Sequence, residues 1–302
     1  MPNCRLLIVG SANIDLVFSC EHLPSAGETL LVKSFAVHPG GKGANQAVAA
    51  AKLGAGVSFL GCVGEDSYGA LLRTSLESVD VDCSYLQLSK GTNSGLASIC
   101  VDASGANSIV VAPGANGCLT PTLVGNAIEV LRPDVVLAQL EIPMNCVEAC
   151  SSAERFILNP APARQLPRDL LSRCYAITPN ETEAEMLTGI YPRSGDDCLR
   201  AATALLESGV QHVVITLGER GCFWASADGS MHLEAPSVEV VDTTAAGDAF
   251  NGALAMCLAS GKSMQASLQV ANWVGALSTT RAGAQDSMPN LAEVRKVAGD
   301  LL

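Results

Sequence analysis

The chain has 302 residues, of which 48% are apolar and 16% charged, and its formal net charge is −12. This composition excludes intrinsic disorder, and the absence of any basic run argues against a general nucleic-acid binder. No apolar run reaches the roughly 18 residues of a membrane span. The twelve scattered cysteines are typical of reduced, buried thiols. We therefore expect a cytoplasmic globular protein with neither a nucleic-acid nor a membrane partner.

Short β-rich runs alternate with helical patterns along most of the chain. Strands are predicted at 6–9, 57–62, 135–140, 156–158, 175–178 and 212–217. Between them, apolar residues recur with helical spacing, as in 44–51 and in 124–131, where Thr120 and Pro121 mark a helix start. The alternation predicts an α/β fold, with a doubly wound, mainly parallel sheet and helices on both faces.

Two regions break this alternation. Residues 14–18 and 29–37 are predicted as strands, and residues 95–102 and 107–112 as a hairpin. They predict a small extra β-sheet, which is either a lid over a ligand cleft or an ordinary edge extension. The predicted division is a main α/β domain of residues 1–12, 41–92 and 114–302 and a discontinuous β-sheet lid of residues 13–40 and 93–113.

The most informative motif is VDTTAAGDAF at residues 241–250, where a strand-like run ends and a helix begins. Ala245, Ala246 and Gly247 would present unpaired backbone amides at the helix N-terminus, where the helix dipole favours anionic oxygens. Asp248, in the first turn, is placed to accept a proton from a hydroxyl that attacks phosphorus. The alternative is that Asp248 only complements the helix dipole.

A second motif, PGGKGANQ at residues 39–46, does not fit a P-loop, because Gly43 follows Lys42 where Ser or Thr is required. Its glycines let the backbone approach a ligand closely. Lys42 and Asn45 offer donors that suit sugar hydroxyls. The alternative is a Gly-rich helix start without a ligand.

Polar side chains follow the first predicted strand. Asn13 and Asp15 alternate along the chain and therefore face the same side. The carboxylate of Asp15 can accept two hydroxyl hydrogens from a polyol. The alternative is that both residues only cap a turn.

Two further motifs suit a nucleotide. Asn180 and Glu183 are three residues apart at a helix start, where they could meet Mg²⁺-bound phosphates through water. The alternative for this pair is a capping box. Residues 215–221, ITLGERG, are predicted as a strand ending in a glycine turn on which a nucleotide could lie.

The order of these motifs over residues 5–289 resembles the ribokinase-type carbohydrate kinase family. The strongest matches are DTTAAGDAFNG at 242–252 and GGKGANQA at 40–47, with NPAPA at 159–163 and TPNETEA at 178–184 in support. The resemblance implies ATP-dependent phosphorylation of D-ribose at O5. The same chemistry on 2-deoxyribose, another sugar or a nucleoside is the alternative. A dehydrogenase lacks its G-x-G-x-x-G fingerprint here, and a non-catalytic sugar-binding protein would not need the Asp248 motif.

The resemblance also implies roles for individual residues. Asp248 is the base, and the anion hole is formed by Ala245, Ala246 and Gly247. Sugar contacts are implied for Asn13, Asp15, Gly41, Lys42, Gly43, Asn45, Glu141 and Asp248. Nucleotide contacts are implied for Asn180, Thr216, Gly218, Gly221, Gly247 and Asn272. A K⁺ site is implied at Asp242, Thr244, Ser278, Arg281, Gly283 and Ser287, with Glu183 acting indirectly on Mg²⁺.

The family resemblance further implies ATP, Mg²⁺ and an activating K⁺ as cofactors and a homodimer formed through the lids. The chain departs from the family pattern at Ala245, where Gly is common, and at Asn272, where His is common. The backbone-amide role of position 245 tolerates the first change, whereas the second makes the adenine contact less defined.

Overall fold

The computed structural model describes residues 4–301. The strands are β1 (Arg5–Val9), β2 (Asn13–Ser19), β3 (Ser34–Gly40), β4 (Gly56–Leu60), β5 (Cys62–Gly64), β6 (Gln87–Ser89), β7 (Gly95–Val101), β8 (Asn107–Ala112), β9 (Val135–Ala138), β10 (Phe156–Leu158), β11 (Ala176–Ile177), β12 (His212–Thr216), β13 (Cys222–Ser226) and β14 (Gly229–Leu233). The helices are α1 (Lys42–Lys52), α2 (Ser67–Glu77), α3 (Pro121–Leu131), α4 (Met144–Cys150), α5 (Arg168–Leu171), α6 (Glu181–Thr188), α7 (Gly195–Leu206), α8 (Ala246–Ala259), α9 (Met264–Ser278) and α10 (Leu291–Ala298).

The main sheet has the strand order β14-β13-β12-β11-β10-β9-β1-β4, and only the two pairings of β13, with β12 and with β14, are antiparallel. The doubly wound, mainly parallel α/β fold is thereby confirmed. One predicted strand, 57–62, is divided into β4 and β5 at Gly61, which packs against Gly10 and the ring of Phe59. The antiparallel edge was not predicted, because 222–233 has no clean alternation of apolar and polar residues.

Helices cover both faces of this sheet, and β1 shows how. Leu6 and Ile8 point into the core formed with α1, α8 and α9, whereas Leu7 and Val9 point into the core formed with α3, α4 and α7. All four side chains are buried. Because successive side chains of a strand point to opposite faces, a strand between two helical layers is apolar throughout.

The connections of β1 create a crevice at the carboxyl end of the sheet. The chain passes from β1 to β4 on one side and later adds β9 on the other side of β1. Such a switch in direction leaves an open cleft at the strand ends, where ligands bind in open α/β sheets. The loops after β1 and β9 meet there, and the hydroxyl of Ser11 donates a hydrogen bond to the carboxylate of Glu141.

The inserted strands form the predicted small sheet, in the order β3-β2-β7-β8. The β7–β8 hairpin is present, and its turn is held by the Asp102 carboxylate, which accepts from the amides of Ser104 and Ala106. Within the predicted strand 29–37, β3 begins only at Ser34, which pairs with Ser19 at the end of β2. Residues 29–33 lie beyond the end of β2 and outside this ladder. None of the helices described is long and apolar enough to cross a membrane.

Candidate active site

The start of α1 is pressed against the loop that follows β1. Gly41 is the N-cap and has φ +88°, a backbone conformation that favours glycine. A Cβ at Gly41 would lie 2.7 Å from the amide nitrogen of Asn13. The amide of Ala44 also donates to the carbonyl of Ser11 at 2.9 Å. The PGGKGANQ motif and the polar loop that carries Asn13 therefore meet at the carboxyl end of β1.

The predicted base lies where α8 crosses α1. A Cβ at Gly252 would lie 2.5 Å from the carbonyl oxygen of Gln46, so the two helices touch through this glycine. One turn earlier, Asp248 is 6% exposed. Its Oδ2 accepts from Nδ2 of Asn45 at 3.0 Å and its Oδ1 accepts from Nε2 of Gln46 at 2.9 Å. The structure thus joins Asp248 to the GGKGANQ motif, and both carboxylate oxygens are held.

Charged groups from several elements share this cleft. Burial, together with the negative charges of Glu141 and Asp248, raises the pKa of Asp15 to about 7. Burial lowers the pKa of Lys42, but the negative charges of Asp248, Glu141 and Glu183 outweigh burial, so the net pKa is raised. Lys42 therefore stays positively charged among carboxylates, and the predicted sugar contacts form one polar site.

The remaining predicted sugar contacts are fixed by backbone and side-chain bonds. The amide of Lys42 donates to Oε2 of Glu141 at 3.1 Å, and the amide of Gly43 donates to the Ser11 hydroxyl at 3.4 Å. Oδ1 of Asn13 accepts from Nδ2 of Asn116 at 2.7 Å. Glu141 thus orients the start of α1, and Asn13 keeps one fixed amide orientation.

Several residues of the site were not predicted from the sequence. Ser11 and Asn116 hold the predicted sugar contacts, and Asn251 on α8 accepts from the hydroxyl of Thr178 at 2.6 Å while donating to the carbonyl of Gly247 at 2.8 Å. Gln46 belongs to the PGGKGANQ motif, but the sequence alone assigns it no role. A short polar residue in a turn or inside a helix carries no sequence signal of the distant group that it bonds.

The predicted anion hole lies at the N-terminus of α8. Ala245 is the N-cap in the left-handed conformation, with φ 59° and ψ 15°. The amide of Ala246 donates to the carbonyl of Thr243 at 3.2 Å. The amides of Gly247 and Asp248, in the first turn of α8, have no acceptor within their own helix. An anionic oxygen bound here would accept a hydrogen bond from the amide of Gly247. The amide of Ala246 already donates to the carbonyl of Thr243, so the anion would share that donor with Thr243.

The predicted phosphate pair forms a capping box at the start of α6. The amide of Glu183 donates to Oδ1 of Asn180 at 2.8 Å, and the amide of Asn180 donates to Oε2 of Glu183 at 2.8 Å. Burial raises the pKa of Glu183, opposed by the Asn180 amide and by the charge of Lys42. Asn180 also forms a parallel bridge with Thr216, so two predicted nucleotide contacts are adjacent.

The other predicted nucleotide residues lie in the turn after β12 and on α9, where α9 packs beside the end of β14. The backbone turns through Gly218 and Gly221, both with positive φ, and the amide of Leu217 donates to the carbonyl of Gly221 at 2.8 Å. Nδ2 of Asn272 lies 3.4 Å from the carbonyls of Leu233 and Glu234. Asn272 lines a pocket of about 310 Å³ together with Leu233, Glu234, Pro236, Gln269, Trp273 and Leu301.

The two segments of the predicted cation site are tied together by Asp242. Its carboxylate accepts from the amide and hydroxyl of Thr244 at 2.9 and 2.7 Å and from the amide of Gly283 at 2.9 Å. Burial raises the pKa of Asp242, but these hydrogen bonds outweigh burial and lower the net pKa. Ser278 and Ser287 are fully buried near this junction, whereas the Arg281 guanidinium forms an exposed ion pair with Glu293 at 3.0 Å.

The chain matches the model of the pfkB family carbohydrate kinases over residues 4–291. It is 42% identical to the ribokinase of Bacillus subtilis over 97% of this chain and 99% of that protein. It is 36% identical to the deoxyribokinase of Salmonella typhi over 95% of this chain and 96% of that protein. Among solved structures, ribokinase of Arabidopsis thaliana complexed with ribose and ATP superposes with a TM-score of 0.89, at 32% identity and over 98% and 99% of the two chains.

Proposed function

The chain belongs to the pfkB family of carbohydrate kinases, and we propose that it transfers the γ-phosphoryl group of ATP to O5 of D-ribose. The observation that carries this proposal is the placement of Asp248. It is a buried carboxylate held between two amide side chains, in the first turn of a helix whose N-terminus faces the same cleft. A base beside an anion-binding helix end is what transfer of a phosphoryl group to a hydroxyl requires.

In the proposed reaction, the O5 proton of ribose moves to Asp248 as O5 forms its bond to the γ-phosphorus. The bond from that phosphorus to the bridging oxygen of ADP breaks. The first-turn amides of α8 and the charge of Lys42 stabilise the negative charge on the transferring group. ADP and ribose 5-phosphate are the products.

Ribose is proposed because the sugar end of the cleft is rich in fixed hydroxyl partners. Glu141 and Asn13 are held by neighbours that leave further oxygen lone pairs for O–H donors, and Asp15 adds a carboxylate beside Glu141. The 36% identity with a deoxyribokinase makes 2-deoxyribose the second candidate. A site built to bond a hydroxyl strongly disfavours the analogue that lacks it, so the two sugars should differ clearly in kcat/KM.

The test is to measure ADP formation with ribose, 2-deoxyribose, fructose, adenosine and pseudouridine at equal concentrations. The position of the phosphate in the product is then read by phosphorus NMR. The proposal expects ribose to have the highest kcat/KM and to be phosphorylated at O5. Preference for another substrate, or a phosphate on another oxygen, would overturn it.

The nucleotide and ions are proposed to lie beside the base. We assign the pocket at Asn272 to the adenine and the Asn180–Thr216 region to the phosphates. Mg²⁺ supplies charge neutralisation on those phosphates when bound, with Glu183 acting through water. Within residues 4–301 no three His, Cys, Asp or Glu side chains cluster as a metal site, so the phosphates themselves must supply most Mg²⁺ ligands. The ionised Asp242 and the oxygens around Ser278 and Ser287 fit a weakly hydrated cation such as K⁺.

The small sheet is proposed to act both as a lid over the sugar and as a dimer surface. By strand register Val110, Phe35 and Val37 lie on one face of this sheet, and they are 70%, 63% and 37% exposed, which is unusual for side chains of this size on paired strands. Pairing of two such faces would bury them. Light scattering should give twice the chain mass, and Val110→Lys should give a monomer.

The role of the small sheet as a lid is tested by hydrogen exchange. Ribose should slow amide exchange in residues 14–38 and 95–112, and unchanged exchange would contradict a lid.

A further inference from the structure

The base is embedded in a chain of buried side-chain amides. Gln46 is fully buried, with 0% of its surface exposed. Its Nε2 donates to Oδ1 of Asp248 at 2.9 Å and to Oδ1 of Asn159 at 3.0 Å. Its Oε1 accepts from Nε2 of Gln139, which is also fully buried. Because Gln46 has no exposed surface, it is shielded from the cleft in which the sugar would lie.

The partners of Gln46 determine which end of its amide faces the base. An ionised carboxylate only accepts hydrogen bonds, so the nitrogen of the amide must point to Asp248. Gln139 donates to the opposite end of the same amide, which opposes a flip. Asn45 repeats the arrangement at Oδ2 of Asp248, since its own Oδ1 accepts from Nε2 of Gln285 at 3.2 Å. Both oxygens of the base therefore receive an N–H from an amide whose own oxygen accepts a hydrogen bond from a second glutamine.

We propose that Gln46 is a positioning residue for catalysis, which holds the carboxylate of Asp248 in one orientation and supplies a hydrogen bond to it where the side chains are buried. The inference rests on the proposed function, since it assigns a role relative to the catalytic base. Hydrogen bonds that are donated to the charged form of a carboxyl favour that form. In a buried site they replace the water that would otherwise solvate the charge. Gln46 thus makes Asp248 ready to take a proton while the carboxylate stays out of water.

Other charges face the base from neighbouring elements. Lys42 on α1 is the cation, while Asp15 on β2 and Glu183 on α6 are carboxylates whose pKa values respond to Asp248. Glu141, after β9, interacts with Asp15 and Lys42. None of these four charged groups is hydrogen-bonded to the side chain of Gln46, whose partners are Asp248, Asn159 and Gln139. A Gln46 variant therefore changes a direct partner of Asp248, and the four charged groups respond only through electrostatic coupling.

The test is Gln46→Glu, which keeps the shape of the side chain and removes the donor. Two adjacent carboxyl groups hold one proton between them, so Asp248 stays protonated to higher pH. The acid limb of the kcat profile should move up by about one pH unit or more, and kcat near neutral pH should fall about 10²-fold. The KM for ribose should stay close to that of the wild type. Gln211→Glu is the matched control, because Gln211 is exposed and lies at the amino end of β12, opposite to the cleft at the carboxyl ends of the strands.

A second variant keeps the test decisive if Gln46→Glu does not fold. Gln46→Met removes the donor without adding charge, and should lower kcat about tenfold and move the acid limb in the same direction by less. Lower thermal stability with the wild-type pH profile in the folded enzyme would show a merely structural role and overturn the inference. A wild-type enzyme that does not phosphorylate ribose would instead overturn the proposed function, and the pH profile would then be read with its true substrate.

Discussion

The sugar end and the nucleotide end of the cleft are built from different kinds of group. At the sugar end, buried side chains bond one another across the chain, as Asn45 and Asp248 do at a separation of 203 residues. At the nucleotide end, Asn180 and Gly218 are exposed, and the 216–221 turn is held by backbone amides and, on its outer side, by the Arg220 guanidinium, which bonds Glu181. One end presents buried, oriented side chains, and the other presents an exposed turn with free main-chain groups.

This difference has a consequence for recognition. A buried side-chain network leaves unpaired groups when one partner is lost, which destabilises a complex by about 1–3 kcal/mol for each group. A backbone surface keeps its amides whatever side chains are present. Substitutions at the sugar end should therefore change turnover and sugar affinity strongly, and substitutions near the nucleotide and cation segments should have smaller effects.

The largest effect is expected for Asp248→Asn. The variant keeps the size of the side chain but removes the proton acceptor, so kcat should fall about 10²–10⁴-fold. Ribose affinity, measured by calorimetry, should change little. Asp169→Asn, at an exposed position on α5, is the matched control and should have wild-type turnover. Turnover near the wild-type value in Asp248→Asn would remove this residue from the role of base.

The second largest effect is expected in the pH dependence of ribose affinity, which Asp15 should determine. Because the pKa of Asp15 is raised to about 7 by burial and by neighbouring carboxylates, the group gains its charge as pH rises through neutrality. Only the ionised form accepts hydrogen bonds from two hydroxyls, so ribose affinity should rise from about pH 6 to about pH 8. Calorimetry at both pH values measures this rise.

Two variants of Asp15 complete this test. Asp15→Asn should bind ribose more weakly and lose the pH dependence, since it has no titrating group. Asp15→Ala should weaken ribose binding by about 1–3 kcal/mol while ATP affinity is kept. Equal loss of ATP affinity in Asp15→Ala would place Asp15 outside the sugar site.

The same contrast explains what the sequence predicted and what it did not. Strands such as β10 and β12 and the helix start at Asp248 follow from local apolar runs and small residues, and the structure confirms the elements. Asn116 and Gln285 carry no such signal, because each acts by bonding a residue more than a hundred positions away, Asn13 and Asn45 respectively. Local patterns predict elements, whereas long-range amide pairs follow only from how the elements pack.

A smaller effect is expected at the cation segments. The carboxylate of Asp242 holds Thr244 and Gly283 together just before the start of α8. A bound K⁺ would stiffen this path and pre-order the first-turn amides, so kcat should be higher in K⁺ than in Na⁺. Asp242→Asn, which keeps the shape of the side chain but removes its charge, should lose most of that difference. Equal wild-type rates in K⁺, Na⁺ and tetramethylammonium at matched ionic strength would contradict the site.

The smallest effect tests the backbone of the anion hole itself. Ala245 has φ 59°, in the left-handed region that disfavours residues with a Cβ. Ala245→Gly should relieve this strain and raise the free energy of unfolding by up to about 1 kcal/mol, less the entropy that glycine adds to the unfolded chain. Because the site uses backbone amides at this position, turnover should stay near the wild-type value. Thermal unfolding together with kcat measures both outcomes.

Arg132→Gly is the matched control for this last substitution. Arg132 is exposed, ends α3 with φ 46° and lies far from the cleft in the fold, so its replacement should give a similar gain in stability and no change in kcat. If both variants gain stability but only Ala245→Gly loses turnover, the methyl group of Ala245 restricts the loop in a way that catalysis needs. The nucleotide end would then depend on a side chain after all, and the contrast with the sugar end would be one of degree. If neither variant gains stability, left-handed strain contributes nothing measurable at the start of α8.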